Sequence, residues 1–84
     1  MNRDAVLFHL TEAKEELDRT IAEVAGNPEY DYGEFVVAMG HLYQHLNTAW
    51  NGRDVSEERF SQCTQEDFDA WRKLPSNEEL FLDL

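Results

Sequence analysis

Eighty-four residues make one domain, and a chain of that size buries only about 60–65% of the surface its unfolded form exposes, so its five Phe, three Tyr and two Trp have to supply the core. Eighteen acidic residues against seven basic ones leave a formal net charge of −11, with nine acids up to Glu34 and nine from Asp54 onward. A field of that sign over the whole surface repels nucleic acid and anionic membrane and favours basic partners. Cys63 is the sole cysteine, which excludes an internal disulfide, and no basic-then-apolar leader precedes Asp4; both features point to a reducing, cytosolic setting.

A first helix is predicted over residues 3–25. Asn2 or Asp4 can cap it, and Val6, Leu7, Leu10, Ala13, Leu17, Ile21 and Val24 recur at helical spacing along one stripe. Gly26, Asn27 and Pro28 end it. The opposite side carries Glu12, Glu15, Glu16, Arg19 and Glu23, with Glu15 and Arg19 spaced for an i,i+4 ion pair. Phe8 falls about half a turn from the apolar stripe, so a later segment or a partner is expected to cover it.

The second helix, over residues 32–51, is the one the rest leans on. Residues 35–52, FVVAMGHLYQHLNTAWNG, contain no Asp, Glu, Lys or Arg, although 30% of the chain is charged. Such a run reads as a mostly surrounded helix. Phe35, Met39, Leu42, Leu46, Ala49 and Trp50 form its stripe, widened by Tyr32 and Tyr43. Gln44, Asn47, Thr48 and Asn51, with His41 and His45, make it too polar for a membrane span, which needs about 20 predominantly apolar residues. Asp31 and Glu34 read as a capping box at its start, and Asn51-Gly52 as a left-handed cap at its end. The short connection makes the two helices an antiparallel αα-hairpin.

Beyond Asp54 the pattern favours two short helices breaking near Thr64, one capped by Ser56 and one by Thr64 with Asp67. Phe60, Cys63, Phe68, Trp71 and Leu74 are their expected buried side. Pro75 stops the segment, Ser76 and Glu79 cap a last turn, and Leu80, Phe81, Leu82 and Leu84 are expected to fold back onto the core. The fold class that follows is all-α: a small helical bundle in which two long antiparallel helices are covered by two or three short C-terminal helical segments, as a single domain.

Three site readings present themselves. His41 and His45, four apart on a helix, have the spacing of two-histidine metal sites. Glu34 extends that stripe, and antiparallel packing brings His9 near His45, with Glu12 and Glu16 on the same side of the first helix as His9. HExxH and paired Glu-x-x-His motifs are absent, so the plainer reading is of partly buried histidines bonded to a neighbouring helix.

The acidic surface is the second: Phe8, Glu12, Glu15, Glu16 and Glu23 are the expected partner-binding residues, steering a basic protein or imitating the phosphates of a nucleic acid, while an acidic surface also serves solubility alone. Arg53, Arg59, Arg72 and Lys73 are too few and too mixed with acids to bind nucleic acid directly. The third is Cys63 at a helix start, where Glu66 and Asp67 oppose thiolate formation, so it reads as a small core residue. Asn47, Asn51 and Arg53 read as fasteners for the end of the second helix.

The expected function is therefore a small acidic cytosolic interaction module without catalytic activity or cofactor. It binds a basic protein partner and could pair with itself through the Phe8 side. Metal binding through His41 and His45, with Glu34 and His9, is the alternative.

Overall fold

A computed structural model of the chain describes residues 1–71 and 73, Phe60 through its backbone alone. Four helices follow one another: α1 (Arg3–Gly26), α2 (Tyr32–Asn51), α3 (Glu57–Ser61) and α4 (Gln65–Trp71), with no strand among the described residues. The fold is a small all-α bundle in which α1 and α2 pack together as the long hairpin and the short helices follow.

The helix ends follow the side chains available to them. Asn2 Oδ1 accepts the Ala5 N–H (3.1 Å) and Asp31 Oδ1 accepts the Glu34 N–H (2.8 Å), each satisfying an orphan donor of the first turn. Ser56 Oγ does the same for the Arg59 N–H (3.1 Å). Thr64 and Asp67 form a reciprocal box: Thr64 Oγ1 accepts from the Asp67 N–H and Asp67 Oδ2 accepts from the Thr64 N–H, both at 3.2 Å. These bonds explain why one amphipathic stretch breaks into α3 and α4 near Thr64. The expected last turn at Ser76 to Leu84, together with Leu74 and Arg72, lies outside the described residues.

α1 ends at Gly26, where Gly26, Asn27 and Pro28 were expected to end it, whereas α2 closes without its expected left-handed cap. Gly52 has φ −97° and ψ 7°, and α1 ends with Asn27 in extended conformation, so no left-handed cap occurs. The carbonyls find other donors. At the end of α2 the Gly52 N–H bonds to Thr48 O (2.9 Å), and the Arg53 guanidinium donates to Trp50 O while lying 4.0 Å over the Trp50 ring. At the end of α1 the Asn27 N–H reaches Glu23 O (2.9 Å).

The core is the larger departure. Among the described residues the buried apolar side chains are Ala13, Ala38 and Ala49, and Thr20, Asn47 and Asp67 are buried polar residues. Leu7, Leu10, Leu17, Ile21, Val24, Phe35 and Leu46, all expected inside, are exposed. The reason lies in where the seam runs. Along α1 the residues turned to α2 are Val6, His9, Ala13, Glu16 and Thr20, spaced alternately by three and four, whereas the large apolar side chains are centred about 80° further round at about 100° per residue. Small seam residues let the helices approach closely, and the bulky ones then stand beside the seam instead of in it.

Candidate functional site

The same rotation gives the hairpin two unlike faces. In an antiparallel pair a displacement of the same sense on both helices falls on one side. Leu10 and Leu46 duly line one groove together with Val6 and Trp50. On the opposite side Glu16, Glu23, Glu34 and His41, with Arg19 among them, surround a shallow groove of about 370 Å³ that Val37 and Ala38 also line. Val37 is 58% exposed there. The expected partner-binding residues Glu16 and Glu23 thus meet residues of α2 in one place. Glu12 follows the same side of α1 one turn earlier, and Glu15 sits at its edge.

Charge pairs in this region differ from the expected ones. Arg19 bonds Glu16 (2.8 Å), not Glu15, while Lys14 pairs with Asp18 (2.7 Å). Glu16 is the better partner because the seam holds its carboxylate in place: its side chain is only 15% exposed, and His41 Nδ1 lies 4.0 Å from its other oxygen. Tyr30, at the start of α2, adds a phenol whose oxygen is buried without a hydrogen-bond partner among the described residues. Its ionisation is pushed up by that burial first and then by Glu23, Glu34, Glu16 and Asp31. The sequence pattern singled out no role for Tyr30, since the turn that places it is not periodic.

Phe8 stands further along this side of α1, 59% exposed, its ring edge-on to His9 at 5.1 Å. Asn2, Asp4, Ala5 and Glu57 complete a groove of about 410 Å³ around the pair. The chain is fastened here: Asn2 donates its backbone N–H to Arg53 O (2.6 Å) and its side-chain amide to Val55 O (2.7 Å).

The three histidines separate into two settings. His9 and His45 face each other across the seam with Nδ1 atoms 3.4 Å apart and ring planes tilted by 36°. His41 instead turns to Glu16. One ring of the first pair must be neutral to accept what the other donates. The pKa of His9 is accordingly lowered, by burial first and then by the His45 charge, against a smaller upward pull from Glu12. No three His, Cys, Asp or Glu side chains converge as metal ligands among the described residues, and Glu34 lies with His41 and Glu16, not with His9.

Beside the histidine pair, α4 covers the end of α2. Gln44, Thr48, Phe68 and Trp71 line the cavity between them, and Asn51 Nδ2 donates to Trp71 O (2.8 Å) and Lys73 O (2.7 Å). Asn51 and Arg53 are thus fasteners, as their position suggested. Cys63 borders the same cavity but is exposed, which corrects its expected place in the core. A five-residue α3 ending two residues before it cannot turn its side chain inward. The buried polar residue here is Asp67, which holds Arg59 at 2.6 Å.

No helix among the described residues is long and apolar enough to cross a membrane. Set against known protein families, curated proteins and solved structures, the chain matches none.

Proposed function

We propose that this protein is a non-catalytic, cytosolic interaction module that presents its acidic face to a basic protein partner. The observation that carries the reading is the gathering of Glu16, Glu23 and Glu34 around a groove that the exposed Val37 also lines, in line with Phe8 on the same side of α1. Carboxylates around a concave surface raise the local concentration of a cationic partner and speed its encounter. Apolar contacts at Val37 and Phe8 then slow its departure, since a few desolvated anchors dominate affinity. A basic surface that normally holds nucleic acid phosphate would fit the same face.

Stopped-flow binding of a partner captured from the native host tests this. The on-rate should fall steeply between low and moderate salt with little change in off-rate. Glu23→Gln with Glu34→Gln should slow association, and Phe8→Ala should speed dissociation. An on-rate indifferent to salt would reduce the acidic face to a solubility device.

A second reading rests on the His9 and His45 nitrogens. Two imidazole nitrogens bound to one tetrahedral Zn²⁺ at 2.0–2.1 Å are about 3.3 Å apart, close to the observed 3.4 Å. The metal reading therefore moves from His41 and His45 to His9 and His45, with the remaining ligands to be supplied from elsewhere. Zn²⁺ should then raise the melting temperature of the native protein, and His9→Ala should abolish that rise. Melting indifferent to Zn²⁺ disposes of it.

A further inference from the structure

We propose that the apolar face of the hairpin is a self-association surface: a second copy of this chain packs on it, so that two hairpins join through Leu10, Leu17 and Ile21 of α1 and Phe35 and Leu46 of α2. Two observations converge on that occupant.

The first is extent. These five side chains are between 40% and 57% exposed, they share one side of the hairpin, and α4 lies on the other. An exposed apolar region that crosses two packed helices marks an interaction site in a soluble protein, whereas single exposed leucines do not.

The second is charge, and it selects a second copy over a basic partner. Every acid of α1 (Asp4, Glu12, Glu15, Glu16, Asp18 and Glu23) falls outside the stripe from Val6 to Ile21 at about 100° per residue, and the residues bordering it are Arg3 and Lys14. Asp18 sits beyond Lys14 and is bonded to it. The single acid of α2, Glu34, belongs to the opposite groove. Asp54 stands at one end of the groove, balanced by the Met1 ammonium (3.6 Å) and Arg53 (3.9 Å), so a basic partner would find no unpaired carboxylate of α1 or α2 here. Two copies, each carrying −11, can meet here without setting carboxylate against carboxylate, which they could do on no part of the acidic side. A two-fold axis across the face makes the contact self-complementary, the commonest way for identical chains to associate.

The net charge leaves a signature. Two chains of like charge repel at long range, so added salt should tighten this association, opposite in sign to its effect on a basic partner. Sedimentation equilibrium of the full chain, with reductant present so that Cys63 cannot link copies, should give twice the chain mass, with a dimer fraction that rises with salt. Ile21→Glu and Leu17→Glu should sediment as monomers whose far-ultraviolet dichroism keeps its helical signal. Phe8→Glu, on the other side, should remain dimeric. A wild-type monomer at all concentrations overturns the proposal, as does a dimer that survives Ile21→Glu or is lost in Phe8→Glu. If the wild type is a monomer and Phe81→Ser increases binding of a hydrophobic dye, the face belongs to the chain's own C-terminal residues.

Discussion

The two faces of the α1–α2 hairpin come from the same two helices and share one seam, yet one carries Leu10, Leu17, Ile21, Phe35 and Leu46 and the other Glu16, Glu23, Glu34 and His41. In a larger bundle the apolar stripes of two such helices would point at each other. Here alanines and polar residues occupy the seam, so the stripes stand beside it and the hairpin becomes a thin plate with a wet side and a dry side. Such a plate does not complete its own hydrophobic core, and its stability is tied to whatever lies on the dry side. The wet side is left free to act through charge.

The comparison breaks most sharply at the seam that both faces depend on. Ala13 is 5% exposed between the helices, and Ala13→Leu should cost about 1–3 kcal/mol because the added side chain forces them apart. Urea unfolding reads this directly, and an unchanged midpoint would mean that the alanines are not the true contact. On the wet side, Asp67→Ala removes the acceptor for Arg59 and for the Thr64 N–H together. A loss of about 0.5–2 kcal/mol is expected, because half of a reciprocal helix cap and a charge-assisted bond go together. The change should appear first in Trp71 fluorescence, and a mutant with wild-type stability would show that α4 is held by other contacts.

On the dry side Leu46→Ala should cost less than a buried leucine. Full burial makes the change worth about 2–5 kcal/mol, and a side chain 40% exposed should lose about 1–2 in dilute protein. A loss at the top of the buried range would show that the face is covered even then. The smallest effect concerns the histidine pair. Because the folded-state pKa of His9 is lowered, the unfolded chain binds the proton more readily. The stability is present above the unfolded value, declines as pH falls below about 6.5 and is lost through the lower folded value. Melting temperatures from pH 7.5 to 5 should fall less in His9→Gln than in the wild type, and parallel curves would remove His9 from the pH response.

The helices were legible because their signals are local. Asn2, Asp31, Ser56 and Thr64 cap where a side-chain oxygen lies two or three residues from an orphan N–H, a relation carried entirely by nearby residues. The meeting of His9 with His45 was legible too, since antiparallel packing with a short turn pairs the start of one helix with the end of the other. Cys63 was misplaced because the helical periodicity that grouped it with Phe68 and Trp71 does not continue through the break between α3 and α4, where it stands. The acidic groove was half legible: Glu16 and Glu23 stood out on α1, but their company with Glu34, Val37 and His41 depends on the register between helices.

By itself the sequence determined the four helices, their N-terminal caps, the break at Thr64 and the antiparallel order, because hydrogen-bond capping and 3.6-residue periodicity act within a few residues of the chain. Only the tertiary structure decided which residues form the seam. A stripe of large apolar side chains and a neighbouring stripe of small ones both permit helix contact, and the choice rests on how closely two particular surfaces can approach. That choice turned Ala13, Ala38 and Ala49 inward and left Leu17, Ile21 and Leu46 outside. The separation of charge from apolar surface follows from it.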